Sequence, residues 1–195
     1  MTLRSFFLIV FGLCLGLSVW GLSSFVKSQD SDVTLNPAKV AEQIHAVIEA
    51  NRTIYATHVV DKLQAKGIVT AAEYWKQEDV LPLPAQFLIE TGRLMSEKGT
   101  GLKYRLASLW PIYVWNAPST DFERKGLEAI AKDPTQPYTG FVKLGRERSF
   151  QAIYADIAIS QSCIDCHNAH PNSPRRDFKL NDVMGGIVIT IPVEE

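Results

Sequence analysis

Residues 140–159 read GFVKLGRERSFQAIYADIAI, and working outward from them makes the chain a sheet protein. Two runs rich in β-branched and aromatic residues, Gly140–Leu144 and Ser149–Ile159, flank the polar GRER of 145–148, which is the pattern of adjacent strands joined by a hairpin turn. Downstream, GGIVITIPV at 185–193 is a third, β-rich strand. Upstream, 102–110 alternates as a strand and Pro111 ends it. Helices fall between. One runs from Pro37, behind an Asn36 cap, to Lys66, with Gly67 as its stop. A second covers 86–98, a third covers 121–132 with acids in its first turn, and a short one covers 70–76. The prolines of LPLPA at 81–85 force an extended connector. There is no internal repeat. The order is that of an α+β domain: an antiparallel sheet flanked by helices, packed on one face or end.

The chain has 195 residues, of which 46% are hydrophobic and 21% charged, with a formal charge of −1. That is one globular domain plus a targeting segment. It is neither disordered nor basic enough to bind nucleic acid. The targeting segment is Phe6–Val26, 21 residues without a charge between Arg4 and Lys27. Its length suits a membrane span of about 30 Å and also the apolar region of a long secretory signal. The organisation is therefore a signal peptide or signal anchor over 1–27, a polar linker over 28–36 and the folded domain over 37–195. Either way the domain is exported. Membrane attachment through 6–26 holds if the segment is uncleaved. Cys14 belongs to this segment, so two thiols remain in the domain.

Those two thiols carry the chemistry. Cys163-Ile-Asp-Cys166-His167 is the attachment pattern of c-type haem: each thiol adds across a vinyl group, and the adjacent His becomes the proximal ligand of the iron. A redox-active CxxC wants a βαβ context with the first Cys at a helix N-terminus, whereas this motif follows a strand and runs into the loop 168–174. Zinc would need Cys163, Cys166, His167 and His170 at unusually tight spacing. A disulfide across two residues would be strained.

The sequence resembles the single-haem c-type PAS-like domain family, found as exported haem proteins of photosynthetic bacteria and as sensor regions of bacterial membrane histidine kinases. The resemblance covers about residues 38–192. It rests on Asn51-Arg52 with Tyr55, on LPLPAQF at 81–87, YRLASLWPI at 104–112 and NAPSTDFER at 116–124. The most specific block is SCIDCHNAHPNSPRRDFKLNDVMGG at 162–186. It implies a PAS-like sheet, an aromatic-rich pocket and a covalent haem in the periplasm or thylakoid lumen. Some relatives use cysteine as the second axial ligand, and the exported domain has no third thiol.

The candidates for that sixth position are His45, His58, His170, Met95 and Met184. Counting about 100° per residue from Ile44, the residues Val40, Val47, Ile48, Asn51, Tyr55, His58 and Val59 share one stripe of the first helix, with His45 at its margin. His58 is thus expected at the iron and Tyr55, one turn earlier, in the pocket. Arg105 is expected to steady the anionic propionates, ahead of Arg52 and Arg148. Trp110, with Tyr113 and Trp115, is expected to shield the haem. No catalytic constellation competes with the haem, so a non-enzymatic redox protein is expected, serving electron transfer or redox sensing with a partner protein. A gas or small-ligand sensor acting through a partner is the alternative, since the chain ends at Glu195 without room for an output domain.

Overall fold

The computed structural model describes residues 35–193. The expected export segment 6–26 and most of the linker lie outside the described residues. Among the described residues, no helix is long and apolar enough to cross a membrane.

Asn36 caps the first helix through its side chain, which accepts from the Ala38 N–H at 3.0 Å, and Pro37 starts the turn with a fixed φ. Helix α1 (Pro37–Ile54) continues through a π-helical stretch (Tyr55–Asp61) into a last turn, α2 (Lys62–Ala65), and stops at Gly67 with φ +64°. The short helix expected over 70–76 does not form. Instead β1 (Ala71–Ala72) pairs in parallel with β2 (Leu81–Pro82), and Gln64 accepts the Ala71 N–H at 2.7 Å. Long-range pairing overrides the helix propensity of Ala71-Ala72-Glu73. Helix α3 (Pro84–Ser96) then starts on the second proline of the connector.

The main sheet comprises β3 (Lys103–Ala107), β4 (Tyr138–Leu144), β5 (Glu147–Ile157) and β6 (Val183–Pro192), in the order β3-β6-β5-β4 and antiparallel throughout. The β4–β5 turn is tighter than the sequence suggests. Leu144 pairs with Glu147, leaving two loop residues, and Gly145 takes the positive φ of +65° that such a turn requires. A register shift between Asp156 and Ile157 ends the regular β5–β6 pairing. Such irregularities re-aim side chains next to sites.

Helices cover both faces of the sheet, not one. Phe150, Ala152 and Tyr154 of β5 pack with Ile187 and Ile189 of β6 against Ala41 and Ile48 of α1 and Leu88 of α3. The alternate residues, Ile153 and Val188, pack against Leu127 and Ile130 of α4 (Asp121–Lys132). The unbroken apolar run of β6 has this reason: a strand buried on both faces has no polar side to show.

Candidate functional site

Helix α5 (Gln161–Ala169) carries the cysteine motif. The sequence reading placed the motif in a strand-to-loop passage; it lies on a nine-residue helix that Pro171 terminates. A helix puts residues three apart on one face, so Cys163 and Cys166 both line the same cleft, and His167 lines it beside them. Both thiols are free. Burial pushes the Cys166 thiol up, with the charge of Glu73 and then Cys163 adding to the effect, which is the reverse of the activated thiol of a redox CxxC. Although Cys163 lies in the first turn of a helix, the surrounding sheet is antiparallel, so the βαβ setting is missing. Among the described residues, no three His, Cys, Asp or Glu side chains converge as a metal cage requires, so Cys163, Cys166, His167 and His170 form no zinc site.

The loop after the motif folds back on it. Asn168 clamps Phe178 in both directions, donating to its carbonyl at 2.9 Å and accepting from its N–H at 3.0 Å. Phe178 thereby meets His167 edge-on, with ring centroids 5.5 Å apart. Trp110 lines the cleft and meets Phe178 edge-on at 6.0 Å, and the Arg175 guanidinium covers both rings. Pro84, Ile89, Leu106 and Ile112 make the opposing wall apolar, and Gly185 forms part of the floor. A Cβ on Gly185 would stand 2.5 Å from the Ala107 carbonyl oxygen, so only glycine permits this approach. The cleft holds a cavity of about 120 Å³ and opens to solvent at its mouth.

Burial lowers the His167 pKa, which leaves a neutral imidazole at pH 7. Its Nδ1 is buried and has no hydrogen-bond partner. Two charged residues line the same cleft. Arg52, 7% exposed, donates from Nη1 to the Ile157 carbonyl at 3.0 Å, and the same nitrogen lies 2.8 Å from Asp156 Oδ1. Asp156 Oδ1 thus has Arg52 as a charge partner, but no hydrogen bond of good geometry reaches it. Sequence reasoning missed Asp156 altogether. The signal was there: Asp156 is the only charged residue in the run 150–157.

Other expected site residues sit elsewhere. His58 is exposed and does not line the cleft. The buried line of the first helix runs through Ala41, Ile48, Arg52, Ala56 and Val60. The expected stripe through Val40, Asn51 and Tyr55 is centred about 60° away from it, because it leaves out the buried Arg52. Tyr55 does not reach the cleft; it stacks on Phe87 at 4.4 Å and donates to the Pro82 carbonyl at 2.7 Å, steadying the connector that leads to the cleft wall. Arg105 is also outside the cleft. It bonds Glu123 at 2.7 Å and the Trp115 and Ala117 carbonyls at 2.9 Å each, tying that loop to α4. Arg148 covers Phe141 at 4.6 Å, and His45 stacks on Tyr154 at 4.0 Å. Met95 lines a separate groove between α1 and α3. Among the five sixth-ligand candidates, Met184 alone lines the cleft. It belongs to the apolar cluster of Cys163, Ile164 and Phe178.

Fold and site together define a PAS-like α+β domain whose cleft presents two free thiols and a neutral imidazole from one helix. The chain belongs to the Tll0287-like family, whose model matches residues 27–192. The fold is similar to the crystal structure described as the cyanobacterial heme-protein Tll0287, with a TM-score of 0.52 and 14% identity over 83% of this chain and 99% of that chain. None of the curated proteins matches this sequence.

Proposed function

We propose that this is an exported c-type haem protein that passes single electrons or reports redox state to a partner protein, with no enzymatic reaction of its own. The observation that carries the reading is the delivery of Cys163, Cys166 and His167 by one helix into one apolar cleft. The residues fit the group. Thiols one helical turn apart suit two thioether bonds, the neighbouring neutral imidazole suits an axial ligand, and an unpartnered buried ring nitrogen marks a side chain not engaged by the protein alone. When bound, haem supplies a one-electron Fe(III)/Fe(II) couple. The chain's part is to tether, to orient His167 against Phe178, and to exclude water with Trp110 and the wall of α3. Family membership supports the reading, since a member with this fold is titled a heme-protein. The uncharged run Phe6–Val26 supports export to the periplasm or thylakoid lumen, where such haem is attached, and membrane attachment if the run is kept.

The test is denaturing electrophoresis of protein expressed with haem-attachment machinery. Wild type should keep haem on the denatured chain, and the Cys163→Ser/Cys166→Ser double variant should lose it. Haem retained by the double variant, or none on wild type, overturns the reading.

A further inference from the structure

The described residues hold three buried side-chain atoms without a hydrogen-bond partner: Gln151 Oε1, Asp156 Oδ1 and His167 Nδ1. Two of the three line the same cleft. One is an acceptor with a spare lone pair. The other belongs to an imidazole that must carry its proton on one nitrogen whenever the other binds a metal. Such complementary orphans are costly left apart, and a hydrogen bond between them would satisfy both.

We propose that Asp156 is the positioning residue of His167: its carboxylate accepts the Nδ1 proton of the imidazole and so leaves Nε2 to the iron. The inference rests on the haem reading above. Three observations carry it. Asp156 stands at the register shift of β5, where the strand leaves its regular pairing beside the cleft. Arg52 Nη1 stands 2.8 Å from Asp156 Oδ1 and donates to the Ile157 carbonyl at 3.0 Å, which fixes the carboxylate while leaving Oδ1 without a hydrogen bond of good geometry. Asp156 and His167 line one cleft, and each has a buried atom there without a hydrogen-bond partner. His45 feels the same carboxylate but makes no hydrogen bond to it, its ring being stacked on Tyr154. A carboxylate behind a ligating imidazole fixes the ring and raises its basicity, which favours ferric over ferrous iron.

The experiment compares haem-loaded wild type, Asp156→Asn and Asp156→Glu. Asp156→Asn keeps the shape and removes the charge. Its ferric preference should fall about tenfold, a rise in midpoint potential of about 59 mV for one electron, and its iron–histidine stretch in the ferrous Raman spectrum should drop. Asp156→Glu should restore part of both. Potential and stretch unchanged in a folded, haem-loaded Asp156→Asn overturn the proposal. If that variant fails to load, wild-type NMR decides: an exchange-protected His167 Nδ1–H supports the proposal, and a rapidly exchanging one overturns it. Wild type without covalent haem would be the failure of the parent reading, and is seen before any variant is made.

Discussion

The two ends of the sheet solve different problems. Over α4, Leu127 and Ile130 meet Ile153 and Val188, and even the buried carboxylate there is saturated: Glu123, 2% exposed, accepts from Arg105, the Ser119 N–H and the Ser119 hydroxyl. Over α5, Phe178 is buried with Cys163, Ile164 and Met184, yet His167 and Asp156 keep unpartnered atoms. Native interiors satisfy their polar groups almost without exception. The contrast assigns the first end to stability and the second to a guest.

That contrast can be broken by experiment. Leu127→Ala should cost about 2–5 kcal/mol, the range for a fully buried leucine, while haem attachment and spectrum stay unchanged. Urea unfolding with parallel absorption spectra checks this, and a spectral change would show that the two ends are coupled. Arg105→Ala should cost about 1–3 kcal/mol, because it strands the buried Glu123 carboxylate, with the penalty reduced by the partial exposure of Arg105 itself. Its midpoint potential should match wild type, whereas an arginine steadying a propionate would move it.

A smaller effect concerns pH. Burial holds the His45 pKa below its usual 6.5, with Glu49 and Asp156 opposing. Below pH 6.5 the unfolded chain therefore takes up a proton that the folded one resists, so this contribution is present above pH 6.5 and is lost as pH falls. His45→Phe, which keeps the stack on Tyr154, should flatten the fall in stability between pH 7 and pH 5, read from urea midpoints. The smallest effect is at His58. Because it is exposed, His58→Ala should leave the haem spectrum and spin state unaltered; a switch to high spin would restore it as a ligand.

How much of this was legible beforehand follows from what each residue type signals. The strands announced themselves through β-branched runs, and 121–132 through its cap and acidic first turn. Cys163, Cys166 and His167 were legible because their spacing is itself a chemical requirement. Arg52 and Asp156 were harder to read for the opposite reason: an arginine in a helix and an aspartate in a strand ordinarily face water, and only their mutual pairing takes them inside. Arg105 misled by the same logic, its partner Glu123 being 18 residues away on another element. The helix expected at 70–76 failed because a strand ten residues on was waiting to pair.

The π-helical stretch between α1 and α2 has a consequence for how this protein tolerates change. Its i→i+5 bonds take up one residue more than an α-helical turn would. Before it, Arg52 points at the cleft; within it, Ala56 and Val60 are buried and the stretch packs on α5. The extra residue is absorbed within the stretch, so α1 and α2 keep the phase of one continuous rod. Removing one residue from 55–61 would let the rod close to a plain α-helix with that phase kept, whereas the same deletion inside α1 would swing everything beyond it by about 100°. Along this rod the π-helical stretch is therefore the place where a one-residue change of chain length is tolerated.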